Sequence, residues 1–292
     1  QLISVIKKSI PIFVVCLVMY FIVDQLTPET WIPGGTSAFH YIITQPYVIV
    51  HYFTTFFLPL DLSADTDWSA LDSIWHIQFF IGTAFLFSLI YIAFRFSNHE
   101  KLRPITFGII WFFLALVPTS VIPLSEVLND HRIYFPYVGL IISVCWTIVL
   151  VMMHYKNRFF TSFSGKAGMI TIICILLLSY AYGTYQRNIV WKTEDSLWYD
   201  VTIKSPKNGR GLMNYGVSKM GQGDYAEAEK YFYKALEIWP RYSFLHVNLG
   251  VLKSATGDNV SAEKKKKNGI AYGPNYPNSY YFSFTTKTQR SY

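Results

Sequence analysis

Pro118-Thr-Ser-Val-Ile-Pro-Leu-Ser-Glu-Val-Leu-Asn-Asp-His-Arg-Ile-Tyr-Phe-Pro136 sits between two apolar segments, and it gathers Glu126, Asn129, Asp130, His131 and Arg132. Ionisable groups are costly in hydrocarbon, so this cluster belongs at a membrane surface or in a cavity between helices. Around it, five segments are long and apolar enough to span a bilayer: 10–26, 74–96, 105–124, 133–153 and 168–185. Lys7-Lys8 ahead of the first resembles a signal peptide, but no small-residue cleavage site follows, so a transmembrane helix is expected.

The connections between these spans sort by charge. Lys7, Lys8, Arg95, Lys101, Arg103, Lys156, Arg158 and Lys166 fall on one side. The other side carries Asp24, Glu29, Asp61, Asp65, Asp67, Asp72, Glu126 and Asp130, with Arg132 as its only basic residue in the membrane half. Lys and Arg concentrate in cytoplasmic loops. The N-terminus therefore reads as cytoplasmic, and the Pro118–Pro136 loop and the polar residues from 187 onward read as extracytoplasmic.

Residues 38–60 interrupt this pattern. They are apolar enough for a sixth span, yet the acidic loops at both ends lack Lys and Arg and belong on one side. Gln45-Pro46 interrupts helical hydrogen bonding near the middle. The segment is expected to form two short aromatic helices that lie in the outer interface or dip in and out of it. His40 and His51 then read as interfacial packing residues.

Pro118 and Pro123 predict a kinked or unwound outer end to the third span, with a cavity beside it. Asp130 suits the N-cap of a helix beginning near Ile133. Arg132 suits an anion contact, because its planar fork matches phosphate oxygens. His131 would add a second donor and Asp130 would hold the guanidinium. The structural alternative is a salt bridge from Arg132 to Asp130 or Glu126 that pins the loop and binds nothing.

Of the 292 residues, 52% are hydrophobic and 18% aromatic, as expected of a multi-pass membrane protein with a water-soluble portion. Residues 187–292 hold sixteen basic and nine acidic residues, the whole of the net +7. Four of those lysines form one run, Lys264 to Lys267, which reads as a solvated helix face rather than a nucleic-acid surface. Cys16, Cys145 and Cys174 lie in apolar segments and read as packing residues. No metal site and no cofactor is predicted. The chain opens on Gln1, so a processed product or part of a longer chain is expected.

Beyond Tyr185, Pro206, Pro240 and Pro274 recur every 34 residues, the tetratricopeptide period. In the unit 209–242, Tyr215, Gly216, Ala228, Phe232, Ala235 and Pro240 fill the expected large, Gly, small, aromatic, small and Pro positions. The next unit repeats Leu249, Gly250, Ala262 and Pro274 but has Lys266 where an aromatic belongs, so stacking is expected to weaken there. Trp198 stands eight residues before Pro206, as Phe232 does before Pro240, so 190–205 reads as the second helix of an incomplete leading repeat. The expected fold is all-α: a polytopic transmembrane helix bundle (1–186), an extracytoplasmic tetratricopeptide-repeat α-solenoid (187–274) and an irregular tail (275–292).

Three stretches together resemble one family. They are Thr44-Gln45, Tyr52 and Phe57-Leu-Pro-Leu-Asp-Leu-Ser63; Pro118-Thr-Ser120 with Asp130-His-Arg-Ile-Tyr-Phe-Pro-Tyr-Val-Gly139; and Arg187-Asn188, Trp191 and Glu194-Asp-Ser-Leu-Trp198. The chain resembles the transmembrane O-mannosyltransferases with tetratricopeptide repeats (TMTC) and their bacterial relatives, and Asn129-Asp-His-Arg132 is similar to the bacterial variant. The resemblance implies the C-terminal half of a GT-C-type glycosyltransferase. Such an enzyme would take a sugar from a polyprenyl-phosphate carrier at the outer face and pass it to a protein hydroxyl.

The carrier phosphate would then meet Arg132, His131, Asp130 and Glu126, while the repeats engage the acceptor or a partner protein. The resemblance places the family's acidic catalytic motif in a first outer loop, upstream of the stretches matched here, so catalytic residues stay unassigned. The expected setting is a multi-pass protein of a bacterial inner membrane, with membrane lipid and a protein as partners and no nucleic acid. A non-catalytic, membrane-anchored repeat scaffold of a larger envelope complex is the alternative.

Overall fold

The computed structural model describes residues 2–26, 37–124, 126–155 and 163–274, and within them the chain is helical with no strand. The expected irregular tail, 275–292, lies outside the described residues. Four helices are long and apolar enough to cross a membrane, which makes this a multi-pass membrane protein. They are α3 (Ile77–Ser97), α4 (Arg103–Val121), α5 (Tyr134–His154) and α6 (Phe163–Val190). The other expected span, 10–26, falls within α1 (Leu2–Leu26), whose described apolar stretch is Phe13–Ile22.

Residues 38–60 form one helix, α2 (Ala38–Phe57), rather than two short ones. Pro46 lies inside it without breaking it. Beside Pro46 the backbone of α2 abuts α3 at Gly82, where any Cβ would collide with Pro46 and Tyr47. Tyr41, Thr44, Gln45, Val48, Ile49, Tyr52 and Thr55 are all buried. That spacing is one stripe of a helix, so α2 is held by packing along a single face.

The membrane helices pack in sequence, α2 on α3, α3 on α4 and α4 on α5. Between α4 and α5 the backbones touch. A Cβ on Gly108 would strike the carbonyl of Gly139, and the reverse holds too. Ser143 Oγ donates to Ile105 O at 3.0 Å across the same seam. Small residues with a bridging hydroxyl bring membrane helices this close.

Many other apolar side chains of these helices are exposed, Phe87, Phe94, Phe107, Leu114 and Leu178 among them, as suits surfaces that meet lipid. Cys16, Cys145 and Cys174 are free thiols on exposed positions of the apolar helices. The membrane part has its main core at one end. Tyr41, Val48, Ile49 and Tyr52 of α2 meet Phe112 and Leu116 of α4, Leu140 of α5, and Val127, Leu128 and Ile133 of the intervening loop.

Pro118 sits within α4, which runs on to Val121. The cap before α5 is Asn129 rather than Asp130: its side chain accepts from His131 N, and Asp130–Ile133 form a single 3-10 turn leading into the helix.

Beyond α6 come α7 (Glu194–Lys204), α8 (Gly209–Gly221), α9 (Tyr225–Ile238), α10 (Ser243–Ala255) and α11 (Asn259–Tyr272). The α10/α11 pair starts and ends 34 residues after α8/α9, helix for helix. The local chemistry repeats as well. Asp224 and Asp258 cap α9 and α11, and Gly223 and Gly257 supply the left-handed turns before them at φ 82° and 86°.

The shared core contains Leu212, Met213, Ala228, Phe232, Ala235, Leu245, Leu249 and Leu252. Tyr215, Gly216, Gly250 and Ala262 are also buried, whereas Pro240 and Pro274 are exposed just beyond α9 and α11. The ring of Phe232 lies against Gly216, and the aliphatic stem of Lys266 lies against Gly250 in the same way. Lys266 Nζ then reaches Ser254 Oγ at 3.1 Å. The stem thus occupies the place of the missing aromatic ring while its charged end finds a polar partner.

Candidate functional site

The polar residues singled out in the sequence converge where the α4–α5 loop, the α2–α3 loop and α8 meet. Val127 and Leu128 anchor the first loop in the core, which leaves the side chains on either side free to face the junction. Gln45 Nε2 donates to Val127 O at 3.3 Å. Tyr52 Oη both accepts from Asn129 N at 3.1 Å and donates to Asn129 O at 3.2 Å. The buried polar groups of α2 therefore pair with the loop's backbone, as burial requires.

Arg132 is the centre of the expected anion site. Its side chain is only 9% exposed, and its fork grips Glu126, where Nη2 meets Oε2 at 2.9 Å and Nη1 donates to the backbone O at 2.9 Å, while Tyr41 also lies within hydrogen-bond reach of the guanidinium. Two of the five guanidinium N–H groups are committed in this way. The other carboxylate oxygen of Glu126 accepts from Arg210 Nη2 on α8. Arg210 Nε in turn pairs at 2.6 Å with Asp65, whose side chain is 3% exposed.

Two carboxylates and two guanidinium groups thus alternate in one chain, Asp65–Arg210–Glu126–Arg132, with no net charge. Burial pulls the pKa of Arg210 down, but the hydrogen bond and charge of Asp65 and the charge of Glu126 outweigh it, so the pKa rises above its ordinary value.

Asp130 turns away from Arg132 rather than holding it. It accepts from Ser63 N at 3.1 Å, and its other oxygen lies 3.4 Å from His51 Nε2. His51 Nε2 is equally 3.4 Å from Thr55 Oγ1, and its ring packs against Trp68 at 5.1 Å. His131 is exposed, and its backbone N–H rather than its ring joins the cluster, donating to Asn129 Oδ1. The four expected residues therefore divide: Arg132 and Glu126 form one ion-pair system, Asp130 joins a second with His51, and His131 faces outward.

Asp65, Arg210 and His51 complete the cluster, and the sequence marked none of them as site residues. Asp65 was visible only as one of several outer carboxylates. Arg210 lies 78 residues beyond Arg132, with no periodicity linking the two. More polar bonds join α7–α8 to the α2–α3 loop. Lys204 Nζ donates to Leu62 O at 2.9 Å, Lys207 N to Asp67 Oδ2 at 3.2 Å and Asn208 Nδ2 to Thr66 O at 2.9 Å. The helix pairs are therefore docked onto the membrane part through the same loops that build the cluster.

No family model matches the chain. Curated relatives include protein O-mannosyl-transferase Tmtc3 of Drosophila melanogaster, 28% identical over 142 residues, covering 48% of this chain and 15% of the relative. Protein O-mannosyl-transferase F38B6.6 of Caenorhabditis elegans is 24% identical over 211 residues, covering 70% of this chain and 29% of the relative. Protein O-mannosyl-transferase TMTC1 of Mus musculus is 22% identical over 264 residues, covering 81% of this chain and 27% of the relative. The chain spans less than a third of the length of these relatives. Its low-identity relatives are protein O-mannosyl-transferases, and the longest of these likenesses, at 81% of the chain, must reach from the membrane helices into the helices that follow.

Proposed function

We propose that this chain is the membrane-and-repeat portion of a GT-C-type glycosyltransferase. It would receive a mannosyl group from a polyprenyl-phosphate carrier at the extracytoplasmic membrane face and deliver it to a protein hydroxyl. The observation that carries the reading is the likeness to protein O-mannosyl-transferases across both parts of the chain. The 34-residue helix pairs are, in this reading, tetratricopeptide repeats that engage the acceptor, and the charge asymmetry of the loops supports an extracytoplasmic position for them.

Arg132 would hold the carrier phosphate by exchanging Glu126 for phosphate oxygens. Glu126 engages only two of its N–H groups, Tyr41 lies beside the guanidinium, and a guanidinium matches a phosphate as well as a carboxylate. Arg210 would retain Glu126 when Arg132 releases it.

A second reading is a non-catalytic scaffold, favoured by one observation. Glu126 and Arg132 satisfy each other, and the alternating ion pairs tie loop to repeat without a free charge. Replacing Arg132 separates the two readings. In the complete protein, in membranes supplied with a polyprenyl-phosphate mannose donor and an acceptor polypeptide, Arg132→Lys should abolish transfer while insertion persists. Full transfer by Arg132→Lys, or a loss of stability alone in Arg132→Ala, would overturn the donor-site assignment and leave the scaffold.

A further inference from the structure

The Glu126 carboxylate is gripped from two sides. Its Oε2 meets Arg132 Nη2 of the α4–α5 loop at 2.9 Å, its Oε1 meets Arg210 Nη2 of α8, and Arg210 Nε holds Asp65 at 2.6 Å. One carboxylate is thus shared between the candidate donor site and the helix pairs. We propose that Arg210 is a positioning residue for that site: by competing with Arg132 for Glu126, it sets how tightly Arg132 binds a phosphate group. That this phosphate belongs to a polyprenyl carrier rests on the transferase reading above.

The first support is the enclosure of Arg132. With the side chain 9% exposed and the fork on Glu126, an arriving anion has to take the place of that carboxylate. Asp65, Arg210, Glu126 and Arg132 sum to zero charge, so the cluster as a whole does not draw the anion in. Glu126 therefore acts as a built-in competitor, lying where phosphate oxygens would lie.

The second support is that Glu126 has another place to bind. Its contact and that of Asp65 use Nη2 and Nε of Arg210, two of the five N–H groups of a guanidinium. Arg210 is also the more open of the two arginines, at 35% exposed. A planar fork of this kind can take both oxygens of one carboxylate once Arg132 lets go.

The third support is where that grip is mounted. Lys204, Lys207 and Asn208, just ahead of Arg210, bond to Leu62, Asp67 and Thr66 of the α2–α3 loop. These bonds place Arg210 beside Glu126, so its pull lasts only while the helix pairs stay docked. Anion binding and docking are then linked in both directions. A phosphate that takes Arg132 leaves Glu126 to Arg210 and tightens the docked contact.

The test uses the full chain in zwitterionic lipid nanodiscs, titrated calorimetrically with farnesyl phosphate and, separately, with inorganic phosphate. Glu126→Gln removes the competing charge and should tighten farnesyl phosphate binding about tenfold. Arg210→Ala leaves Glu126 to Arg132 and should weaken it about fivefold. Adding Arg210→Ala to Glu126→Gln should change affinity by less than about twofold, because Arg210 acts through Glu126. In the unsubstituted chain, saturating farnesyl phosphate should slow amide exchange at 61–67 by about the factor that Arg210→Ala weakens binding. This last measurement needs no variant, so it decides the matter even where a substituted chain fails to insert.

Weaker or unchanged binding in an inserted Glu126→Gln chain would overturn the proposal. So would an equal loss from Arg210→Ala in both backgrounds, which marks a long-range charge effect, and so would unchanged exchange at 61–67 or no binding of either probe. Equal affinity for the two phosphates, with the variants in the expected order, would keep the competition and refute a prenyl carrier. The expected order in a complete protein that never transfers mannose would refute the transferase reading alone. Transfer with no difference in affinity among the variants would refute the proposal alone.

Discussion

Removing the Arg210 side chain should loosen the repeats from the membrane loops by a calculable amount. In Arg210→Ala, Glu126 keeps Arg132, but Asp65, 3% exposed, loses its ion-pair partner. Breaking a fully buried pair costs about 3–5 kcal/mol, and an exposed one about 0–1 kcal/mol. Arg210 is 35% exposed, so water can partly replace it at the opening. An intermediate cost of ~1.5–2.5 kcal/mol follows.

That cost falls on the docked contact and not on the helices, so it should appear as local opening. Hydrogen–deuterium exchange of the full chain in nanodiscs should show amides 61–67 exchanging roughly 10- to 70-fold faster. Peptides from α10 should be unchanged. Arg210→Lys should fall between, because a point charge cannot hold two carboxylates in fork geometry. Unchanged exchange at 61–67 in Arg210→Ala would show that the ion-pair chain does not hold the two parts together.

Phe232→Ala should destabilise the helix pairs by about 3–5 kcal/mol, since the ring is fully buried against Gly216; chemical denaturation followed by α8–α11 exchange checks this. A pH dependence should come from His246. Its Nε2 lies 2.8 Å from Pro240 O, its Nδ1 is buried without a hydrogen-bond partner among the described residues, and burial lowers its pKa. Below the ordinary histidine pKa, ~6.5, the unfolded chain takes up a proton that the folded one resists. Stability of the helix pairs should therefore be fully present above that pH and fall as pH drops, and His246→Gln should flatten the profile. A cysteine placed at Gly223 should be labelled by a membrane-impermeant reagent from the side opposite Arg103; labelling from the same side would refute the orientation.

Much of the repeat part was legible from residues alone. The 34-residue spacing foresaw the two helix pairs, and Ala228, Phe232 and Ala235 lie in the core as their positions implied. Four of the five expected spans coincide with long apolar helices, because hydropathy is summed over many residues and tolerates local exceptions. Residues 38–60 were misread as two helices because Pro46 is disruptive on its own, whereas here it is braced by α3 at Gly82. Lys266 looked like a defect because a residue class says nothing of its stem.

The cluster was only half visible. Arg132 and Glu126 are neighbours in the chain, so their pairing could be written down beforehand. Asp65 and Arg210 are 145 residues apart, and only the docking of α8 onto a membrane loop brings them together. Asp130 could have capped its own helix, but a partner from α2, His51, and an N–H from the α2–α3 loop compete successfully for it.

The contact of Gly108 with Gly139 has a mechanical consequence. Two helices whose backbones touch resist sliding and rotating past each other by steric collision, so α4 and α5 should move as one lever with its fulcrum at that crossing. Arg132 sits at one end of the lever, and Glu126 beside it is also gripped by α8. Any displacement of Arg132 would therefore be shared by both helices and would bear on α8 through Glu126 and Arg210. A bulkier residue at position 108, where a Cβ already meets Gly139 O and Ser143 Oγ, would force the crossing apart and should weaken that mechanical link.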